Sequence, residues 1–237
     1  MRVVLTLCLL AAAVAVAQVN PSSLGWTDFP GAFFLSDWRT GNLQNYADSP
    51  QVALLKGPNA TVGQNQLGVV PFSGSWSNTT PVTMRNLGPC TFGGWVYRVS
   101  ANAGTVIFQN DRDSSSAGYS FSVSRGSSPG GNGLVITLQA SGLSYQRLAS
   151  NISVPLNKWA QVVYVATNSS MTGICYLNGE QVTTGGGAFN TPTSLSYIYI
   201  GGASQPTNTF ALDFYWPYAF SPAQVRDLYN SQLRLLP

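Results

Sequence analysis

The chain has 237 residues, of which 8% are charged and 12% aromatic, with no histidine and a formal net charge of +3. Ordinary domains carry about 25% charge, and without imidazole there is no Ser-His-Asp triad, no Cys-His pair and no histidine zinc site. Eleven Lys+Arg scattered singly make no basic stripe for nucleic acid, while 44% apolar residues supply a core and exclude disorder driven by charge.

Residues 1–17 read as a targeting segment. Arg2 supplies the positive start, an apolar run extends to Val16, and Ala15-Val16-Ala17 forms a small-x-small cleavage pattern. The run is shorter than the ~20 residues that span a membrane, and no second run of that length follows. The expected product is a secreted, extracellular protein with no membrane span, a single domain over residues 18–237. Export leaves Cys90 and Cys175 in an oxidising compartment, an even pair for which a disulfide is expected. That bridge would contribute roughly 4–5 kcal/mol in the chain-entropy model; the alternative is two buried free thiols. Asn59, Asn78, Asn151 and Asn168 each open an N-x-Ser/Thr sequon, which predicts an N-glycosylated surface.

Between residues 18 and 46 lies irregular, aromatic-rich sequence, read as a first strand plus a covering segment. Runs of β-branched and aromatic residues follow at 92–99, 105–109, 119–124, 134–139, 159–165, 174–177 and 195–200. Gly, Ser and Asn clusters separate them, a pattern that predicts an all-β protein. At this length a jelly-roll sandwich of two antiparallel sheets is the expected architecture. Asn178-Gly179 between two apolar runs is a type I′ hairpin signal. Ser221-Pro222-Ala223-Gln224 is a capping box, and Val225, Leu228 and Tyr229 fall on one helical face, so a short C-terminal helix is expected over residues 221–229.

Five segments in order resemble the laminin-G-like members of the concanavalin A-like lectin/glucanase superfamily. They are Thr91-Phe92-Gly-Gly-Trp95-Val-Tyr97, Asn157-Lys158-Trp159-Ala-Gln161-Val-Val163, Cys175-Tyr-Leu-Asn178-Gly179-Glu-Gln-Val182, Ile200-Gly201-Gly202 and the closing segment from Phe214 to Tyr229. The resemblance is clearest over residues 90–230 and implies a concanavalin A-like jelly roll. Gln161 stands where histidine is common in the family.

The superfamily holds both glucanases and binders. A glucanase of this fold carries Glu-x-Asp-x-Glu on one strand, and this chain has a single glutamate, Glu180. The resemblance therefore implies no enzyme but a lectin-like carbohydrate-binding module. Laminin-G-like relatives often bind calcium; here Asn110, Asp111 and Asp113 supply oxygen ligands in one loop, and a site made there would need backbone carbonyls or Asp213 as well. Aromatic platforms for sugar rings are Trp76, Tyr119, Tyr145, Tyr197, Tyr199, Trp216 and Tyr218. Tyr119, Tyr197 and Tyr199 are the leading ligand-binding candidates, since Tyr197 and Tyr199 alternate with Ile198 and Ile200. The partner is then a glycan or an extracellular protein surface, not nucleic acid. The alternative is a structural subunit of a matrix, coat or filament, whose low charge suits self-association.

Overall fold

A computed structural model describes residues 29–32, 34–37, 54–56, 61–62, 70–73, 76–78, 89–97, 105–110, 119–125, 134–140, 146–152, 154–168, 173–185, 198–200 and 209–236. The early strands are β1 (Phe34–Asp37), β2 (Leu54–Lys56), β3 (Thr61–Val62), β4 (Val70–Ser73) and β5 (Trp76–Asn78). Then come β6 (Cys90–Tyr97), β7 (Thr105–Asn110), β8 (Tyr119–Arg125), β9 (Leu134–Ala140) and β10 (Gln146–Ile152). The last are β11 (Trp159–Ala166), β12 (Gly173–Leu177), β13 (Glu180–Gly185), β14 (Ile198–Ile200) and β15 (Thr209–Trp216), followed by α1 (Pro222–Leu233). An eight-stranded sheet runs β13-β12-β11-β6-β15-β4-β3, with β1 added on β15; a seven-stranded sheet runs β10-β9-β8-β7-β14-β5-β2. All pairings are antiparallel among the described strands. The fold is the expected all-β jelly-roll sandwich with a short C-terminal helix.

The central strands of the larger sheet are buried on both faces, which is why β6 and β11 read as near-continuous apolar runs. On one face Phe92, Val96, Val162, Tyr164, Cys175 and Tyr215 are buried. Burying a side chain such as Phe92 is worth about 2–3 kcal/mol. On the other face Trp95, Val163, Val165, Tyr176, Phe214 and Trp216 join one cluster with Val225 and Leu228 of α1 and with Phe29, Ala32 and Phe220. The β1 and β4 strands share one edge of β15, with β1 against residues 212–215 and β4 against 209–210.

The local signals are realised atom by atom. Asn178 and Gly179 have φ of 53° and 78°, the left-handed pair that a type I′ turn requires. Asn178 also docks the hairpin on β11: its Oδ1 accepts from the Gln161 amide and its own amide donates to the Gln161 carbonyl, both at 2.9 Å. Ser221 Oγ accepts from the Gln224 amide at 3.3 Å, and Gln224 Oε1 accepts from the Ser221 amide at 2.8 Å, closing the capping box. The helix, however, continues to Leu233, one turn past the apolar stripe. Its buried residues are Val225, Leu228 and Gln232, and a glutamine at the i+7 position hides the period from a reading based on hydrophobicity.

The expected disulfide is not formed: Cys90 and Cys175 are free and fully buried. Cys90 pairs with Ala166 and Cys175 with Tyr164, so β11 stands between the two cysteines. Two strand spacings separate them by about 10 Å, beyond the ~7 Å that a disulfide tolerates between Cα atoms. Burial pushes the Cys90 thiol up to about 12, a rise tempered by its hydrogen bond with Tyr215. Burial likewise raises Cys175 and Tyr164. A raised folded value means that the native state keeps protons which the unfolded state loses. Stability is therefore expected to hold below pH 9 and to fall as pH rises from about 9 towards 12. Denaturation curves at stepped pH, read beside thiol labelling, check both points: Cys90 and Cys175 should be inert when folded at neutral pH and both reactive in denaturant. A non-reactive pair that appears only after reduction would contradict the free-thiol arrangement.

Candidate ligand-binding face

On the outer face of the eight-stranded sheet, α1 and residues 29–32 pack over the central strands β6, β11, β12 and β15. Trp216 Nε1 donates to the Phe29 carbonyl at 2.8 Å, and Tyr218 Oη donates to the Pro30 carbonyl at 2.8 Å. Thr91 Oγ1 donates to the Tyr218 carbonyl and accepts from the Phe220 amide, both at 2.9 Å. Trp216 is buried and Tyr218 half-buried, so both aromatics are spent on anchoring.

Beneath α1, Gln232 Oε1 accepts from Trp95 Nε1 at 2.7 Å and from Gln161 Nε2 at 3.0 Å. Gln161, the residue at the family's histidine position, is therefore part of a buried helix-to-sheet clamp. Tyr229 stacks on Trp95 with ring centroids 5.5 Å apart. The one glutamate, Glu180, forms an exposed ion pair with Arg226 of α1 at 3.2 Å, an interaction of small energetic weight.

Asp213 does not lie at an open rim. It is fully buried, in register with Gly94 and with Ser36 of β1, and a Cβ on Gly94 would overlap its carboxylate. It belongs to the eight-stranded sheet, whereas Asn110 ends β7 of the other. Asp111 and Asp113 lie outside the described residues. Among the described residues no three His, Cys, Asp or Glu side chains gather into a metal-holding group.

The seven-stranded sheet is different in kind. Its register forms rows that cross the strands, and alternate rows belong to opposite faces. One row holds Ala140, Tyr119, Asn110 and Ile198; two residues along, Leu138 meets Phe121, which meets Phe108. The row between them holds Gln139, Ser120, Gln109, Tyr199, Ser77 and Leu55. Two residues from Ser120 and Gln139, Val106, Ser122, Thr137 and Arg147 are in register. The strand pairing thus gathers Ser, Gln and Thr into alternate rows, together with Leu55, Tyr199, Val106 and Arg147.

Among the candidate ligand residues, Tyr199 falls in the polar row and Tyr119 in the adjacent apolar one, on the opposite face. The pairing does not bring those two together; Tyr197, Tyr145 and the targeting segment expected at 1–17 lie outside the described residues. Gln109, Ser120, Gln139 and Ser77 were not singled out in sequence. For Ser120 the signal was the alternation Tyr119-Ser-Phe121-Ser-Val123-Ser; Gln109, Gln139 and Ser77 join it only through strand pairing. Of the sequon asparagines, Asn168 is exposed just after β11, Asn151 lies in β10, Asn78 ends β5, and Asn59 is outside the described residues.

Among solved structures, domain 4 of AbnA, a GH43 extracellular arabinanase from Geobacillus stearothermophilus, in complex with arabinotriose, is similar in fold. Its TM-score is 0.62 at 13% identity over 84% of this chain and 98% of that one. The receptor binding domain of botulinum neurotoxin D matches with a TM-score of 0.64 at 13% identity, over 86% of this chain and 53% of that one. A third match is a structure titled for the dependence of botulinum neurotoxin type C cell entry on two ganglioside molecules. It has a TM-score of 0.62 at 16% identity, over 90% of this chain and 53% of that one. This chain thus spans about half the length of the toxin domains. No curated protein sequence matches the chain significantly. The laminin-G-like family described as the concanavalin A-like lectin/glucanases superfamily matches residues 71–226. With most of its length matched and the jelly roll in place, the chain belongs to the concanavalin A-like lectin/glucanases superfamily.

Proposed function

We propose that this protein is a secreted, non-catalytic, lectin-like module that holds glycans against the polar face of its seven-stranded sheet. The observation that carries the reading is the row Gln139, Ser120, Gln109, Tyr199 and Ser77, which sets amide and hydroxyl residues beside one aromatic residue. Sugar rings use aromatic faces for stacking and amides and hydroxyls for hydrogen bonding. On the other sheet, α1 and residues 29–32 pack over the outer face of the central strands β6, β11, β12 and β15. Binding without turnover is supported by the glutamate count, since Glu180 is alone and paired with Arg226 at the hairpin–helix junction. Export is supported by the 1–17 segment and the four sequons. The solved neighbours, among them an arabinotriose complex, agree with a glycan ligand.

A glycan array followed by calorimetry, run in calcium and in chelator, tests the proposal. Binding should occur without release of reducing sugar, and Tyr199→Ala should weaken it about tenfold or more. Loss of binding in chelator would bring Asn110, Asp111 and Asp113 into the site as calcium ligands. Absence of binding to any glycan, with the native protein recovered only in insoluble polymer, would instead favour the structural-subunit reading.

A further inference from the structure

We infer that the joint between α1 and the eight-stranded sheet is a binding site for one ordered water, held by Gln161 of β11 and Gln232 of α1. Both glutamines are fully buried, and the hydrogen bonds of the clamp leave one polar atom of each over. Trp95 Nε1 can only donate, so the Gln232 atom that it meets at 2.7 Å is the acceptor Oε1, and Nε2 faces elsewhere. Gln161 meets the same oxygen at 3.0 Å, so it presents its donor Nε2, and its own Oε1 faces elsewhere. Among the described residues neither Gln161 Oε1 nor Gln232 Nε2 has a hydrogen-bond partner. Buried polar groups in folded proteins find a partner either in the protein or in an ordered water.

The chemistry of the two orphaned atoms names the occupant. One accepts and the other donates, so an anion would be repelled by the Gln161 oxygen and a cation by the Gln232 amide protons. A water donates to the first and accepts from the second. Oxygen and nitrogen of one amide are about 2.2 Å apart, so the contact between the glutamines keeps the two orphaned atoms within about 7 Å of each other. A water with hydrogen bonds of about 2.9 Å bridges pairs up to about 6 Å apart. Buried waters commonly make about three hydrogen bonds, and the same face carries two further buried groups without a partner, Trp159 Nε1 and Tyr176 Oη. Trp159 is two residues before Gln161 on β11, and Tyr176 is opposite Val163 on β12. The clamp is then a network of Trp95, Gln232, water and Gln161, and it does not depend on the glycan reading.

Water-to-protein NOE spectra, recorded in the laboratory and rotating frames to separate bound water from proton exchange, test the inference. Cross-peaks from water to the Gln232 side-chain amide protons are expected, with the sign of a long-lived bound water. Gln161→Met keeps the length of the side chain and removes the acceptor, so those cross-peaks should be lost. The Trp95 indole proton should meanwhile keep the downfield shift of a hydrogen-bonded donor, which shows that α1 is still docked. A high-resolution crystal structure with water density in hydrogen-bonding reach of both atoms supports the site without any variant, and decides the matter should Gln161→Met fail to fold. Absence of the cross-peaks in the unsubstituted protein, or a crystal structure in which Gln232 Nε2 donates directly to Gln161 Oε1, would overturn the inference. Cross-peaks that persist in Gln161→Met would overturn it as well, since Gln161 would then not hold the water.

Discussion

Trp95→Ala is expected to destabilise the protein by about 4–5 kcal/mol, at the upper end for removing a buried tryptophan. Trp95 is fully buried, stacks on Tyr229 and donates to Gln232, so its loss opens a void between sheet and helix. The hydrogen bond is the smaller part. Gln161 still donates to Gln232 Oε1 after the change, so the acceptor is not stranded and packing dominates. Trp95→Phe separates the two contributions: it keeps most of the ring area and loses the N–H, and a cost of about 1–2 kcal/mol is expected. Urea denaturation read by far-UV circular dichroism gives both values. A cost for Trp95→Ala below about 2 kcal/mol would mean that α1 is not held as described.

Gly93→Ala is expected to cost about 3 kcal/mol or more, and to impair folding in expression. A Cβ at Gly93 would overlap the Val162 carbonyl oxygen and the Val163 Cα, both backbone atoms of β11. The β6–β11 ladder is a long one, pairing Cys90–Tyr97 with Trp159–Ala166, and neither strand shifts without losing hydrogen bonds. The neighbouring position has the opposite character. At Gly94 the nearest obstacle is the Asp213 carboxylate, a side chain, with the Leu212 carbonyl oxygen at 3.2 Å beyond it, so Gly94→Ala should cost less than Gly93→Ala. Combining Gly94→Ala with Asp213→Ala should be less damaging than the sum of the two changes, because both act at one contact. Equal costs at the two glycines, measured by the same denaturation, would contradict the packing.

The sandwich was legible because most of its strands announce themselves by β-branched and aromatic runs, and the hairpin and helix start by turn and cap residues. β6, β11 and β12 begin and end within two residues of the runs read from sequence. What stayed hidden depends on partners far along the chain. Gln232 reads as a surface residue until Trp95 and Gln161, more than 70 residues away, supply its donors. The cysteine pair read as a bridge because compartment and parity say nothing of which strand lies between. Tyr119 and Tyr199 looked equivalent until the β7 register assigned them to adjacent rows. A face of a sheet is a property of pairing, and no single strand declares it.

On the proposed function, glycan is held by the polar rows of the seven-stranded sheet. Backbone amide chemical-shift mapping during titration with a bound oligosaccharide tests it most directly. The predicted result is that the largest shifts fall at Ser77, Gln109, Ser120, Gln139 and Tyr199, with α1 and β11 unmoved. Shifts confined to the segment around Asn110, Asp111 and Asp113, or to the helix-covered face, would contradict it.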